Sequence, residues 1–283
     1  MGLVAFGFVS QKRYGKKLLA KGEKIKLQKQ IIKASNENLL ASIRYARTVQ
    51  EAFLPEPVQL NSLFSEYYIL NSPKDLVGGD FYWAKQTSQF KIICLGDCTG
   101  HGVPAAFLTI TFINILNKIA LQNLETPGEF LAEVQNEIFD TLKESQLQDG
   151  LDLSVCFFSL DDSSLSFSSA HQGLLIYRNG VLEDIKGDRR GLGKDFNHIK
   201  EPFTNHSFEL KGEERFCIFS DGITDQSGGP NYKKIGKKTW LDSFKNTANE
   251  TTKVQGKLLE EKFLDWKKEN AQTDDATVLI FEV

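Results

Sequence analysis

The chain has no CxxC pair among its four cysteines (Cys94, Cys98, Cys156, Cys217), and three of them lie inside apolar, strand-like runs. That usage excludes a disulfide framework and a thiolate zinc site, and it fits reduced, buried thiols in a cytoplasmic protein. Histidine is equally sparse: His101, His171, His198 and His206 are scattered, with no HxH or HExxH spacing, which argues against a histidine-ligated zinc centre. No apolar run approaches the roughly 18–20 residues of a membrane span. Internal repeats and low-complexity tracts are missing as well. The remaining chemistry, 41% hydrophobic and 25% charged over 283 residues, describes a globular chain able to bury a core in one large domain or two ordinary ones.

Charge is unevenly spread. Residues 1–54 carry eleven Lys and Arg against Glu23, Glu37 and Glu51, a net +8, while the rest of the chain carries −11. Without interleaved aromatics the basic arm is a poor nucleic-acid binder, and no nucleic acid is expected as a partner. The arm opens on the apolar MGLVAFGFV followed by Lys12, Arg13, Lys16 and Lys17. This resembles the inner end of a membrane span but is too short to be one. An upstream sensor or membrane segment, with tethering to the inner face of the membrane, is one reading; a frayed terminus is the other.

From Leu18 to Phe53 the pattern is helical. Leu18, Ile25, Ile32, Leu39, Ala46 and Phe53 recur every seventh residue, as a coiled-coil seam requires. The second seam is poor, because Lys21, Gln28, Ser35 and Ser42 precede Val49. Two readings stand: a weak homodimer through this helix, and a solvated helix packed on its own domain. Pro55 and Pro57 end the helix, so residues 1–54 form a basic amphipathic linker and residues 55–283 the body.

The body reads as strands over 64–70, 81–84, 90–95, 153–160, 165–169, 174–177, 208–210, 216–219 and 277–283, bounded mostly by Gly, Asp, Ser or Asn. Helices are expected at about 104–120, 127–146 and 254–270; Pro104 and Pro127 stand where a first helical turn tolerates proline. Hairpin-spaced strands with helices inserted in pairs point to α+β, with antiparallel sheets covered by helices.

Four acidic motifs mark strand ends: Gly78-Gly79-Asp80, Gly96-Asp97-Cys98-Thr99-Gly100-His101-Gly102, Ser220-Asp221-Gly222 and Asp274-Asp275-Ala276-Thr277. Singly, Asp beside Gly is a turn signal. Together they offer a row of carboxylates at a sheet rim, with glycines that let backbone approach a ligand. Hard cations such as Mg²⁺ and Mn²⁺ take that kind of oxygen donor.

These motifs, preceded by Asp75-Leu76-Val77 and extended through Val103-Pro104-Ala105-Ala106 and Ile223-Thr224-Asp225, resemble those of PPM-type serine/threonine phosphatases of the SpoIIE branch, bacterial relatives of protein phosphatase type 2C. The likeness covers about residues 55–283, and Ser42–Pro55 is similar to the helical lead-in of such domains. It implies an α-β-β-α sandwich of two antiparallel sheets flanked by helices, behind the long N-terminal helix. It implies two divalent cations, Mn²⁺ or Mg²⁺, bridged by Asp97. Asp80 and the Cys98 carbonyl would complete one set, and Asp221 and Asp274 the other; Asp275 is the lesser of its pair. His101 is the candidate general acid, with a backbone-bonded turn residue as the equal alternative. The chain departs from the family's Asn-Ala-Gly-His stretch at Ser169-Ala170-His171-Gln172-Gly173, which puts a role for His171 in doubt. The Asp225–Pro230 insertion is expected to shape a flap.

The implied chemistry is slow without catalysis, so its barrier must fall by electrostatics. Two cations about 3.5–4 Å apart can activate water for in-line attack on phosphorus without a covalent protein intermediate. The implied substrate is a phosphorylated STAS-domain anti-sigma-factor antagonist. A catalytically weak PPM-fold binding module and a hydrolase of small phosphoesters are the competing classes.

Overall fold

The computed structural model describes residues 2–144, 149–193 and 202–283, with the side chains of 2–15 and of residue 20 excepted. His198 and the expected end of the 127–146 helix beyond residue 144 lie outside the described residues, as do the side chains of the opening apolar run. The chain divides into two compact units, 1–46 and 47–283. The first consists of most of α1 (Gly2–Glu51), a single unbroken helix. The second begins inside the last turns of α1, because Gln50 is buried in the body and Leu54 packs on its core.

Beyond α1 the chain runs α2 (Pro57–Leu63), β1 (Glu66–Ser72), β2 (Asp80–Gln86), β3 (Phe90–Cys98), α3 (Gly102–Ile119) and α4 (Pro127–Leu142). Next come β4 (Leu151–Ser159), β5 (Ser164–Ala170), β6 (Gly173–Arg178), β7 (Val181–Lys186), β8 (His206–Glu209) and β9 (Arg215–Phe219). The last part holds α5 (Asp221–Asp225), β10 (Ser227–Gly228), β11 (Lys233–Lys234), α6 (Lys237–Thr247), α7 (Thr252–Lys267) and β12 (Ala276–Glu282).

Two five-stranded sheets result, ordered β2-β3-β4-β5-β8 and β1-β12-β9-β6-β7, and β10-β11 form a separate small hairpin. Every ladder between these strands is antiparallel. Three cores stack in parallel. Helices α3 and α4 cover one sheet through Phe112, Leu116, Phe130 and Ile138, which meet Cys94, Leu153 and Phe157. The sheets face each other across Ile93, Leu95, Phe158, Phe216, Leu279 and Phe281. Helices α6 and α7 cover the other sheet with Trp240, Phe244, Leu259 and Phe263 against Cys217, Val278 and Ile280. The α-β-β-α sandwich expected from the resemblance is the observed architecture.

Because both faces of the central strands are covered, Leu153–Phe158 and Ala276–Phe281 are apolar almost throughout instead of alternating. The start of α4 is fixed by a capping box: the Thr126 hydroxyl accepts from Glu129 N, the Glu129 carboxylate accepts from Thr126 N, and Pro127 follows the cap. All four cysteines are buried and free. Helix α3 is 18 residues long and, by composition alone, apolar enough to cross a membrane, contrary to the sequence expectation; more than half of it is buried, as in a core helix. Helices α2 and α6, strand β7 and the β10–β11 hairpin were not legible as runs in the sequence.

Candidate metal centre

Strand register assembles the acidic residues. Asp80 stands opposite Asp97 across β2–β3, and Asp97 stands opposite Asp152 across β3–β4, so one row crosses three strands. Sequence reasoning missed Asp152. Its signal was a carboxylate inside an apolar strand, but only the register shows where it faces.

The other sheet supplies the facing set. Asp221 opens α5 directly after β9, and Asp274 and Asp275 precede β12. The Ser220 N–H donates to the Thr277 carbonyl at 3.0 Å, and the Thr277 N–H donates to Ser220 Oγ at 2.9 Å. The Ser220 hydroxyl in turn donates to Asp80 Oδ2 at 2.6 Å, which joins the two sheets at the site. Gly222 allows this approach: a Cβ there would sit 1.8 Å from the Asp275 carbonyl oxygen.

Burial and mutual repulsion dominate the electrostatics. Burial first, then the charges of Asp80, Asp221, Asp152 and Asp274, pushes the Asp97 carboxyl up to about 10. Asp80 is pushed up to about 7, mainly by burial and partly offset by the Ser220 hydrogen bond. Burial also raises Asp221, with Asp274 and Asp225 adding to it and Lys234 opposing. Such a cluster calls for positive charge.

The donor set fits a hard divalent cation. Asp80 is 5% exposed, and its Oδ1 has no hydrogen-bond partner, an orphaned buried acceptor. The Cys98 and Gly100 carbonyl oxygens both face Gly79, 3.0 Å from where a Cβ would stand. Among the described residues no three His, Cys, Asp or Glu side chains are grouped to hold a metal by themselves. A cation that keeps several waters and takes one or two carboxylates suits this arrangement better than an all-protein cage.

The remaining sequence candidates fall around the row. The Cys98 thiol is buried, lies 3.7 Å from Thr109 Oγ1, and is pushed well up by burial, so it fills space as an uncharged group. His101 is the N-cap residue of α3, and its Nδ1 lies 2.8 Å from Asp75 Oδ2 at the exposed rim. Asp275 holds backbone: its carboxylate accepts from Lys74 N at 2.7 Å and Gly79 N at 2.6 Å. His171 adopts φ +67° in the β5–β6 turn. Gly191 faces both its ring and Asp152; a Cβ there would lie 3.4 Å from His171 Cδ2 and 2.9 Å from Asp152 Oδ1. The segment after Asp225 forms the β10–β11 hairpin, where Lys234 Nζ donates to Asp225 at 2.7 Å.

Comparison with known proteins identifies the family and the fold. The sequence model of the family described as Stage II sporulation protein E (SpoIIE) matches residues 91–283. The PP2C domain of SiaA from Pseudomonas aeruginosa superposes with a TM-score of 0.80 at 27% identity, over 88% of this chain and 99% of that one. The PP2C phosphatase domain and regulatory-domain fragment of SpoIIE from Bacillus subtilis gives 0.61 at 20% identity, over 77% and 63% of the two chains. The catalytic domain of the serine/threonine phosphatase PstP, solved with two manganese ions, gives 0.56 at 16% identity, over 77% and 97%. Among functionally curated proteins no sequence matches significantly.

Proposed function

Since the chain belongs to the SpoIIE family and is a PP2C-type, metal-dependent serine/threonine phosphatase, we propose that it dephosphorylates a bacterial signalling protein, a STAS-domain anti-sigma-factor antagonist, in the cytoplasm. The observation that carries this reading is the row Asp80–Asp97–Asp152 facing Asp221 and Asp274, with a buried Asp80 oxygen left unpartnered. The choice of substrate rests on the SpoIIE-branch motifs.

Asp97 would bridge two cations, Mn²⁺ or Mg²⁺, with Asp80 and the Cys98 carbonyl on one and Asp221 and Asp274 on the other. When bound, the pair supplies an activated water and neutralises the phosphoryl oxygens. The chain's own part is preparation. Ser220 holds one oxygen of Asp80 and leaves the other for the site. Asp275 pins Lys74 and Gly79, which fixes the loop leading into Asp80. With Nδ1 donating to Asp75, a doubly protonated His101 would present its second proton at Nε2 and pass it to the leaving serine oxygen, becoming the neutral ring.

The test is phosphate release with and without Mn²⁺, from a phosphoserine STAS protein and from small phosphoesters. Mn²⁺-dependent release from the protein alone is expected. Release from metabolites alone would make the chain a small-phosphoester hydrolase, and tight binding of the phosphoprotein without release would make it a binding module.

A further inference from the structure

Gln50 lies in the last turn of α1, ahead of α2 and β1, in a segment otherwise rich in exposed residues. It is 8% exposed. A buried carboxamide is costly unless its donor and acceptor are both used. Here both are: Nε2 donates to the Gly78 carbonyl at 2.7 Å, and the Gly78 N–H points back at Oε1 at 3.5 Å. The carboxamide therefore grips both polar groups of one residue, and that residue stands two positions before Asp80.

The gripped segment needs outside support. Gly78 and Gly79 carry no side chain with which to hold their own position, and glycine backbone is the most permissive there is. Four groups hold it. Asp275 takes the Gly79 N–H, the Thr109 hydroxyl donates to the Gly79 carbonyl at 3.0 Å and lies 3.4 Å from the Gly78 carbonyl, the Cys98 N–H donates to the Gly79 carbonyl at 3.3 Å, and Gln50 takes both polar groups of Gly78. The first three belong to the body's own sheets and core helix; Gln50 comes from α1. A cavity of about 50 Å³, lined by Arg47, Gln50, Glu51, Leu54, Gly78 and Asp80 among others, lies beside the clasp and reaches Asp80. It is large enough for a water molecule or a small shift of the turn.

We propose that Gln50 is a positioning residue for the metal centre: by clasping Gly78 it fixes the backbone that delivers Asp80, so cation affinity depends on the last turn of α1. This rests on the metal-dependent reading above. Partners that orient metal ligands from outside the first layer change affinity by roughly 10–100-fold when removed, and Gln50 acts in that way through backbone.

The test is Mn²⁺ binding by the full chain, followed by calorimetry and by electron paramagnetic resonance, in the parent, Gln50→Ala and Gln50→Met. Methionine fills the same volume without the donor or the carbonyl. Gln59→Ala is the control, because Gln59 also donates to a β2 carbonyl, that of Ala84, at the end of the strand away from the site. Both Gln50 variants are expected to bind Mn²⁺ roughly 10–100-fold more weakly, with half-activating Mn²⁺ raised by the same factor, while Gln59→Ala keeps the parent's affinity. Parental affinity in both Gln50 variants overturns the proposal. So does an equal loss in Gln59→Ala, or failure of both Gln50 variants to fold, since a positioning role requires a fold that outlasts the clasp. A parent that binds no Mn²⁺ overturns the metal reading and this proposal with it, and it is told apart from failure of the clasp alone by the parent measurement.

Discussion

Asp97 has an aspartate opposite it on each side, Asp80 and Asp152, in a half-buried strip of strand where Asp80 itself is buried. Without a cation these groups gain by holding protons, and the sign of that effect can be measured. Asp97 is raised to about 10 and Asp80 to about 7, against an unfolded value of about 3.9. The stabilisation from their protonation is complete below about pH 4 and is lost as pH rises through the folded values. In EDTA the melting temperature is therefore expected to fall from pH 5 to pH 8, and saturating Mn²⁺, which favours the ionised carboxylates, to remove that fall. A flat profile in EDTA would contradict the cluster's electrostatics. Asp97→Asn removes the central charge. It is expected to lose at least about 100-fold in turnover, the upper end seen even for indirect ligand partners. It should keep its fold and melt higher than the metal-free parent. Turnover like the parent's in Asp97→Asn would sink the two-metal assignment.

At the scale of elements, the β10–β11 hairpin hangs on α7. The Gly229 N–H donates to the Trp266 carbonyl at 2.9 Å, and the Trp266 indole N–H donates to the Lys233 carbonyl at 3.0 Å. A Cβ on Gly228 would stand 2.0 Å from the Trp266 carbonyl oxygen, so Gly228→Ala must push the hairpin off the helix. Asp225, at the foot of the hairpin, borders Asp221, so the displaced flap is expected to raise KM for a phosphoprotein more than for p-nitrophenyl phosphate. Equal effects on both substrates would remove the flap from protein recognition. This hairpin also marks where the sequence stops being legible. Central strands were readable because burial on both faces made them continuous apolar runs. Helix α6 was not, because Trp240, Leu241 and Phe244 are its only large apolar residues in a run that is otherwise charged or polar. Strand β7 is a half-exposed edge, and edges carry weak patterns. Within the site, the glycine-flanked aspartates were legible because backbone approach demands glycine there. Asp152, Gln50 and Ser220 were not, because their roles come from cross-strand register and from long-range hydrogen bonds.

At the scale of the whole molecule, the first 46 residues form a unit with few places to bury apolar surface. Leu18, Ile25, Ile32 and Leu39, the line that recurs every seventh residue, are each more than half exposed. Helices in proteins draw most of their stability from packing an apolar face, and a second copy of the same helix would cover this one. The polar positions three residues on, Lys21, Gln28, Ser35 and Ser42, keep such a pairing weak. Basic residues oppose it further, since residues 1–54 of each copy carry +8. That repulsion gives the prediction its sign. The Debye length shortens from about 10 Å at 0.1 M salt to about 3 Å at 1 M, so self-association of the full chain is expected to strengthen with salt in sedimentation experiments. Deleting residues 1–40 should abolish it and leave the sandwich folded. Polar substitutions at Ala46, Val49 and Phe53 should change turnover, because those positions flank Gln50 in the closing turns of α1 and just beyond them. If turnover and sedimentation match the parent's in every variant, the helix is only a tether.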